Sequence, residues 1–158
     1  MAVTPTVQEF LRKANVAYTV FPHVPAYTAQ EEAAVTHIPG RDWAKAVIFF
    51  ADDEPIQAVV PADLDVNLDR LLIVAGADTL RLAREDELEW LFPDCEPGAM
   101  PPLGPLYKQR VFVDETLAGE DHIVFNAGTH QDAVSMRYDD FKAVTHPIVG
   151  QFAQRPVS

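Results

Sequence analysis

The chain has 158 residues, 48% of them hydrophobic, and a formal net charge of −12. The length suits one domain spanning 1–158, since domains commonly run to about 100–150 residues, and the apolar share excludes a chain too polar to build a core. The acidic balance argues against a broad basic face of the kind that sequence-independent DNA or RNA binding requires.

The balance does not exclude a local basic mouth, because Lys45, Lys108 and Arg110 lie in apolar or neutral stretches while the acids gather at Asp52–Glu54 and Glu85–Glu89 and read as solvated surface. No apolar run approaches the ~20 residues that span a bilayer, and the start lacks the basic-then-apolar pattern of a signal peptide. With Cys95 as the single cysteine, no internal disulfide can form. A cytoplasmic location, with no membrane contact, is the expectation.

In chain order, Thr6 and Glu9 fit a capping box that starts a helix with Val7, Phe10, Leu11 and Ala14 on one face. Tyr18 to Phe21 reads as a short strand ended by Pro22. Thr28 and Glu31 repeat the capping-box pattern ahead of Pro39-Gly40. Ala44 to Phe50 is an apolar strand, Ala51 to Pro55 a turn, and Ile56 to Val60 the returning arm of a hairpin. Asn67 is placed to cap a helix through Leu68, Leu71, Leu72 and Ala75 that stops at Gly76. Thr79 to Leu82 is a short strand, and Arg84 to Leu91 an acidic, exposed helix. Three strands follow, Arg110 to Val113, Ile123 to Asn126 and Ala133 to Met136. A closing helix runs from Tyr138 to Val144. Hairpin-linked strands outnumber long helices, so the expected fold is α/β of the α+β kind, a mixed, largely antiparallel sheet flanked by helices.

Gly98-Ala-Met-Pro-Pro-Leu-Gly104 is the most informative stretch. Prolines stiffen it and glycine frees the backbone, so amides at Gly98 and Ala99 can be held ready for a developing oxyanion. The plainer reading is a rigid connection between strands. Lys45 sits in the most apolar strand between two alanines, on the face of Val47 and Phe49. It is either a partly desolvated anion binder or a lysine that snorkels to water. In the turn after Phe125, Asn126 can orient a polar group, Gly128 admits a ligand near the backbone, and His130 can act as acid, base or donor. A hairpin turn with an exposed histidine is the alternative.

The histidines His23, His37, His122 and His146 show no metal-ligand spacing, so no metal site is expected. Cys95, followed by Glu96, reads as a loop residue with a raised pKa rather than a nucleophile. No G-x-S-x-G elbow, Walker A loop or dinucleotide fingerprint occurs.

Taken in order, the Tyr27-Thr-Ala-Gln-Glu-Glu-Ala33 helix start, Trp43-Ala-Lys-Ala-Val-Ile48, Gly98-Ala-Met-Pro-Pro-Leu-Gly104 and Val124-Phe-Asn-Ala-Gly-Thr-His130 resemble the YbaK/ProX-type aminoacyl-tRNA deacylases. That superfamily includes the editing insertion domain of bacterial prolyl-tRNA synthetases. The resemblance runs from about Phe10 to Phe141. It implies a compact YbaK/ProX-like domain that hydrolyses, in trans and without a cofactor, the ester of a tRNA mischarged with a small amino acid.

The resemblance makes Lys45 and Gly98 the catalytic positions. Lys45 would contact the terminal phosphate or hold the ester, and amides around Gly98 would bind the carbonyl. Tyr27, Thr28 and Ala99 join the substrate site, Pro102 and Gly104 fix the loop, and Asn126, Gly128 and His130 line the amino-acid pocket. Water or a group on the substrate attacks. The Asn-Ala-Gly-Thr-His turn departs from the Ser-Gly-Gly of the cysteinyl-tRNA branch, so cysteine specificity is not carried over. The expected partner is the aminoacyl-tRNA acceptor end, with a synthetase or elongation factor supplying further contacts. A non-catalytic module that binds an amino acid, a nucleotide or a synthetase is the competing expectation.

Overall fold

The computed structural model of the chain describes residues 5–22, 42–96 and 98–156. Its central element is a hairpin. Strands β2 (Ala44–Ala51) and β3 (Glu54–Pro61) pair antiparallel from Ala44↔Pro61 to Ala51↔Glu54. The connection is two residues, Asp52 and Asp53, both at positive φ (49° and 69°), which is the twist-matched turn that aspartate tolerates. The Asp52 carboxylate then accepts the Thr79 and Asp78 amides at 2.8 and 3.0 Å. That contact places β5 (Leu80–Leu82) beside β2.

On the other side, β6 (Arg110–Asp114) pairs parallel with β3, and β9 (Ile148–Gly150) parallel with β6. The five-stranded sheet therefore runs β5-β2-β3-β6-β9 and is mixed. A separate three-stranded antiparallel sheet orders β1 (Tyr18–Pro22), β8 (Asp132–Arg137) and β7 (His122–Asn126). β4 (Asp65–Val66) and β10 (Ala153–Gln154) form a two-stranded ribbon. The mixed, largely antiparallel arrangement flanked by helices expected from the sequence is present, distributed over these three sheets. Trp43, fully buried, joins the two larger pieces by a parallel bridge to Val124, with the Val124 amide donating to the Asp42 carbonyl at 3.0 Å.

Both faces of the five-stranded sheet are covered. Val59, Val111 and Val113 meet Val7 and Leu11 of α1 (Pro5–Lys13), Ile123 and Phe125 of β7, and Phe141 of α5 (Tyr138–Thr145). Phe49, Ile56, Ala58, Val60 and Phe112 meet Leu71 of α2 (Leu68–Ala75) and Phe152. This explains why β3 is buried without alternation from Ile56 to Pro61, as a central strand covered twice must be. Each such Val, Leu or Phe contributes about 1.5–3 kcal/mol on burial.

The helix ends follow local chemistry. Asn67 caps α2 by accepting the Arg70 amide at 3.0 Å, and Gly76 ends it at φ 64°. The first helix departs from the expected capping box. It begins at Pro5, so Thr6 lies inside its first turn and donates instead to the Asp94 carboxylate, while Glu9 pairs with Arg12 and Lys13. The second capping-box pattern, Thr28 with Glu31, lies outside the described residues.

Helix α3 (Glu85–Leu91) is acidic but not wholly exposed. Glu87 is buried, accepts the Arg84 amide at 2.9 Å, and grips Arg81 through two bonds of 2.7 and 2.8 Å. Among the described residues no helix is long and apolar enough to cross a membrane.

Asp114 organises the chain's last described segment. Its carboxylate accepts the Thr116 amide and hydroxyl, starting α4 (Glu115–Ala118), and the Phe152 and Ala153 amides at 2.8 Å. Burial alone would raise its pKa. The Thr116 hydroxyl and the backbone donors outweigh burial and hold the carboxyl below its ordinary value. Anchoring residues 152 and 153 sets β10 against β4, and so sets Asp65 beside the hairpin.

Candidate active site

Gly98 occupies a turn that only glycine enters cheaply. The Ala99 amide donates to the Glu96 carbonyl at 3.0 Å, closing four residues whose third, Gly98, has φ 83°. Glu-Pro-Gly-Ala is the sequence a type II turn prefers. This corrects one expectation: the Ala99 amide is consumed by the turn, and Ala99 is fully buried. Among the described residues the Gly98 amide donates to a soft partner, the Met100 sulfur at 3.2 Å, a weak acceptor that a carbonyl oxygen can replace.

Beyond the turn the loop is anchored from behind. Buried Gln57 donates to the Pro101 carbonyl at 3.4 Å and to Gln109 Oε1 at 3.1 Å. Pro102 is buried. Gly104 opens a 3-10 turn (Gly104–Tyr107), and a Cβ on it would lie 2.4 Å from the Gln109 carbonyl oxygen. Its smallness therefore serves the close approach of the backbone at Gln109.

The second half of the site is the β7–β8 turn. Asn126 is buried at the end of β7, and Gly128 takes φ 101°. Thr129 donates to the Asp132 carboxylate at 2.7 Å, which stiffens the turn. His130 is buried, not the exposed loop histidine that the sequence also allowed.

The two halves are stitched together. The Gly128 amide donates to the Ala99 carbonyl at 3.0 Å, the Glu96 amide to the Gly128 carbonyl at 2.7 Å, and the His130 amide to Glu96 Oε1 at 2.7 Å. The imidazole reaches Gly98 itself: a Cβ built there would stand 3.3 Å from His130 Cε1. A cleft of about 390 Å³ opens between the Pro93–Glu96 segment and the Gly128–Asp132 turn. A recess of about 190 Å³ adjoins it, walled in part by Leu88, Phe92 and Met100.

Lys45 approaches from the sheet. It and Asn126 each stand two residues beyond the parallel Trp43–Val124 bridge. Its side chain is 21% exposed, and its ammonium lies 3.4 Å from Asp65 Oδ1. The structure thus brings Gly98, Ala99, Gly128 and His130 into direct contact, whereas the ion pair of Lys45 is made with β4. Tyr27 and Thr28 lie outside the described residues.

Cys95 is unsuited to nucleophilic work. Burial pushes its thiol up to about 12, with Asp94 adding to the rise and the Tyr107 hydroxyl at 3.3 Å opposing it. The charge responsible is Asp94 and not Glu96, as the sequence order alone suggests.

The family model described as "Aminoacyl-tRNA editing domain" matches residues 23–144. The chain belongs to that family. This editing domain is 32% identical over 131 residues to a proline–tRNA ligase of Nitratidesulfovibrio vulgaris, covering 81% of the chain and 23% of the ligase. It is 31% identical over 105 residues to one of Leuconostoc citreum, covering 66% of the chain and 18% of that ligase. The chain therefore spans less than a quarter of these relatives.

Among solved structures the editing domain shares its fold with hypothetical protein APE2540 (TM-score 0.84, 20% identity, 94% of this chain and 99% of that one). A candidate trans-editing enzyme for prolyl tRNA synthetase is similar (TM-score 0.82, 21% identity, 96% and 99%).

Gln57 and Asp132 carried no expected role in this editing domain, and Glu96 was expected only to raise the Cys95 thiol pKa. Glu96 had a signal, the Glu-Pro-Gly-Ala turn pattern. Gln57 had a weaker one, a polar residue inside the apolar run Ile56–Val60.

Proposed function

We propose that this editing domain hydrolyses, in trans, the ester joining a small amino acid to the 3′ end of a mischarged tRNA. The observation that carries the reading is the packing of His130 against Gly98 across two hydrogen-bonded turns, in a chain of the aminoacyl-tRNA editing family. The scissile carbonyl displaces the Met100 sulfur and accepts from the Gly98 amide, which the Glu96–Ala99 turn presents. Such a donor stabilises the oxyanion and is worth about 10²–10³-fold in rate.

His130, beside that amide, donates to or orients the reacting group, while Asn126 and Gly128 border the amino-acid pocket. Lys45 exchanges Asp65 for the phosphate of the terminal nucleotide, a charge pairing that a lysine makes as a point cation. Pro102 and Gly104 fix the loop. The recess of about 190 Å³ beside Met100 suits a small side chain. Water attacks the ester carbonyl, the bond from the carbonyl carbon to the ribose oxygen breaks, and that oxygen leaves with a proton as the amino acid is released. The acidic chain, at −12, leaves most tRNA affinity to contacts at the acceptor end or to a partner such as a synthetase or elongation factor.

The deciding measurement is deacylation of tRNAs charged with each amino acid in turn. Hydrolysis of one or a few small-residue esters is expected, with Lys45→Ala lowering kcat/KM by roughly 10²-fold at an unchanged melting temperature. Turnover of none across the whole panel overturns the reading. Ligand-induced thermal stabilisation without turnover then supports the binding module instead.

A further inference from the structure

We infer that Glu96 is the positioning residue that sets His130 against Gly98, an inference that rests on the function proposed above. One residue makes two of the bonds that join the two turns and a third that closes its own turn. Its amide donates to the Gly128 carbonyl at 2.7 Å, its carbonyl accepts the Ala99 amide at 3.0 Å, and its carboxylate Oε1 accepts the His130 amide at 2.7 Å. The first two are backbone bonds that almost any residue can make. The third needs a side-chain acceptor of glutamate's reach, and it is charge-assisted, the short and strong kind.

The His130 backbone is therefore held from the Gly98 side of the cleft. Its imidazole, 3.3 Å from where a Gly98 Cβ would stand, inherits its placement from that bond. Glu96 also borders both the cleft and the adjoining recess. A carboxylate there repels a polyanionic substrate, so its use at this junction calls for a compensating gain. Placing the histidine relative to the oxyanion donor supplies one, because displacing a reacting group by about 1 Å costs up to 10²-fold in rate.

Three variants of the intact chain separate reach from charge. Glu96→Gln keeps the acceptor and loses the charge; kcat within about threefold of the parent is expected. Glu96→Asp keeps the charge and loses the reach, and Glu96→Ala loses both. For these two a 10- to 100-fold fall in kcat is expected with KM changed less than about threefold.

A parallel readout needs no activity. In ¹H–¹⁵N spectra with hydrogen exchange, the His130 amide loses protection in the Asp and Ala variants and keeps it in the Gln variant, and the Gly98 signal moves with it. Unchanged His130 protection in Glu96→Ala overturns the inference. So does a Gln variant as impaired as Ala, which assigns the effect to charge, or an Ala variant with parental kcat. If the parent deacylates nothing, the proposed function falls alone, and the amide readout still judges the placement of His130.

Discussion

His130 and Gly98 are 32 positions apart in the chain yet in contact: a Cβ added to Gly98 would stand 3.3 Å from His130 Cε1 and 3.6 Å from Nε2. The absence of a side chain at Gly98 is therefore used twice. It permits φ 83° in the turn, and it lets the imidazole approach the one loop amide whose partner is a sulfur.

Gly98→Ala tests both uses. A left-handed alanine costs about 1–2 kcal/mol, and its methyl, 3.3 Å from His130 Cε1, crowds the imidazole. Deacylation is expected to fall by at least about 10²-fold while the urea midpoint drops only modestly. Parental activity with the methyl in place would separate His130 from the reaction.

Gly104→Ala acts differently. Its Cβ would lie 2.4 Å from both the Gln109 carbonyl oxygen and Val111 Cγ2, and the backbone carbonyl cannot rotate away. Overpacking of this kind costs about 1–3 kcal/mol, read as a lower unfolding midpoint. Activity lost through instability should return in part when assayed at low temperature.

Acid sensitivity should trace in part to Glu87. The Arg81 guanidinium, aided by the Arg84 amide, holds its carboxyl at about 2, down from 4.5. A depressed folded pKa contributes stability that is full above 4.5 and disappears as pH falls toward 2. Melting temperatures followed from pH 7 to pH 2 should place Glu87→Gln below the parent at neutral pH. The two curves should converge in acid, and a constant gap would refute the assignment.

Cys95 should be sluggish toward thiol reagents. With its pKa pushed to about 12 by burial, thiolate is scarce at pH 8. Alkylation of the folded protein is expected to be at least about 100-fold slower than in denaturant. Equal rates would contradict the buried environment and restore Cys95 as a reactive group.

Much of this was legible in the chain. The β2–β3 hairpin showed itself through an apolar run, a turn rich in aspartate and a second apolar run, and α2 through Asn67 and Gly76, because each signal lies within a few residues of what it specifies. The strands β4, β9 and β10 and the four-residue α4 were missed. Two or three residues carry no periodicity, and β10 meets β4 because Asp114 reaches the Phe152 and Ala153 amides from 38 and 39 positions away. Thr6 misled for a related reason: its hydroxyl had a local use as a cap and found a distant one at Asp94.

The sequence by itself determined that Gly98, Gly128 and Lys45 sit in a stiff loop, a glycine turn and an apolar strand, since backbone freedom and hydrophobic patterning are local properties. Only the tertiary structure decided which groups remain for chemistry. It left the Gly98 amide facing a thioether, buried His130, and gave Lys45 an aspartate for a neighbour. Hydrogen bonds across the fold made those choices, above all the two that join Glu96 to Gly128 and His130. Such bonds depend on where distant backbones meet, which no local pattern encodes.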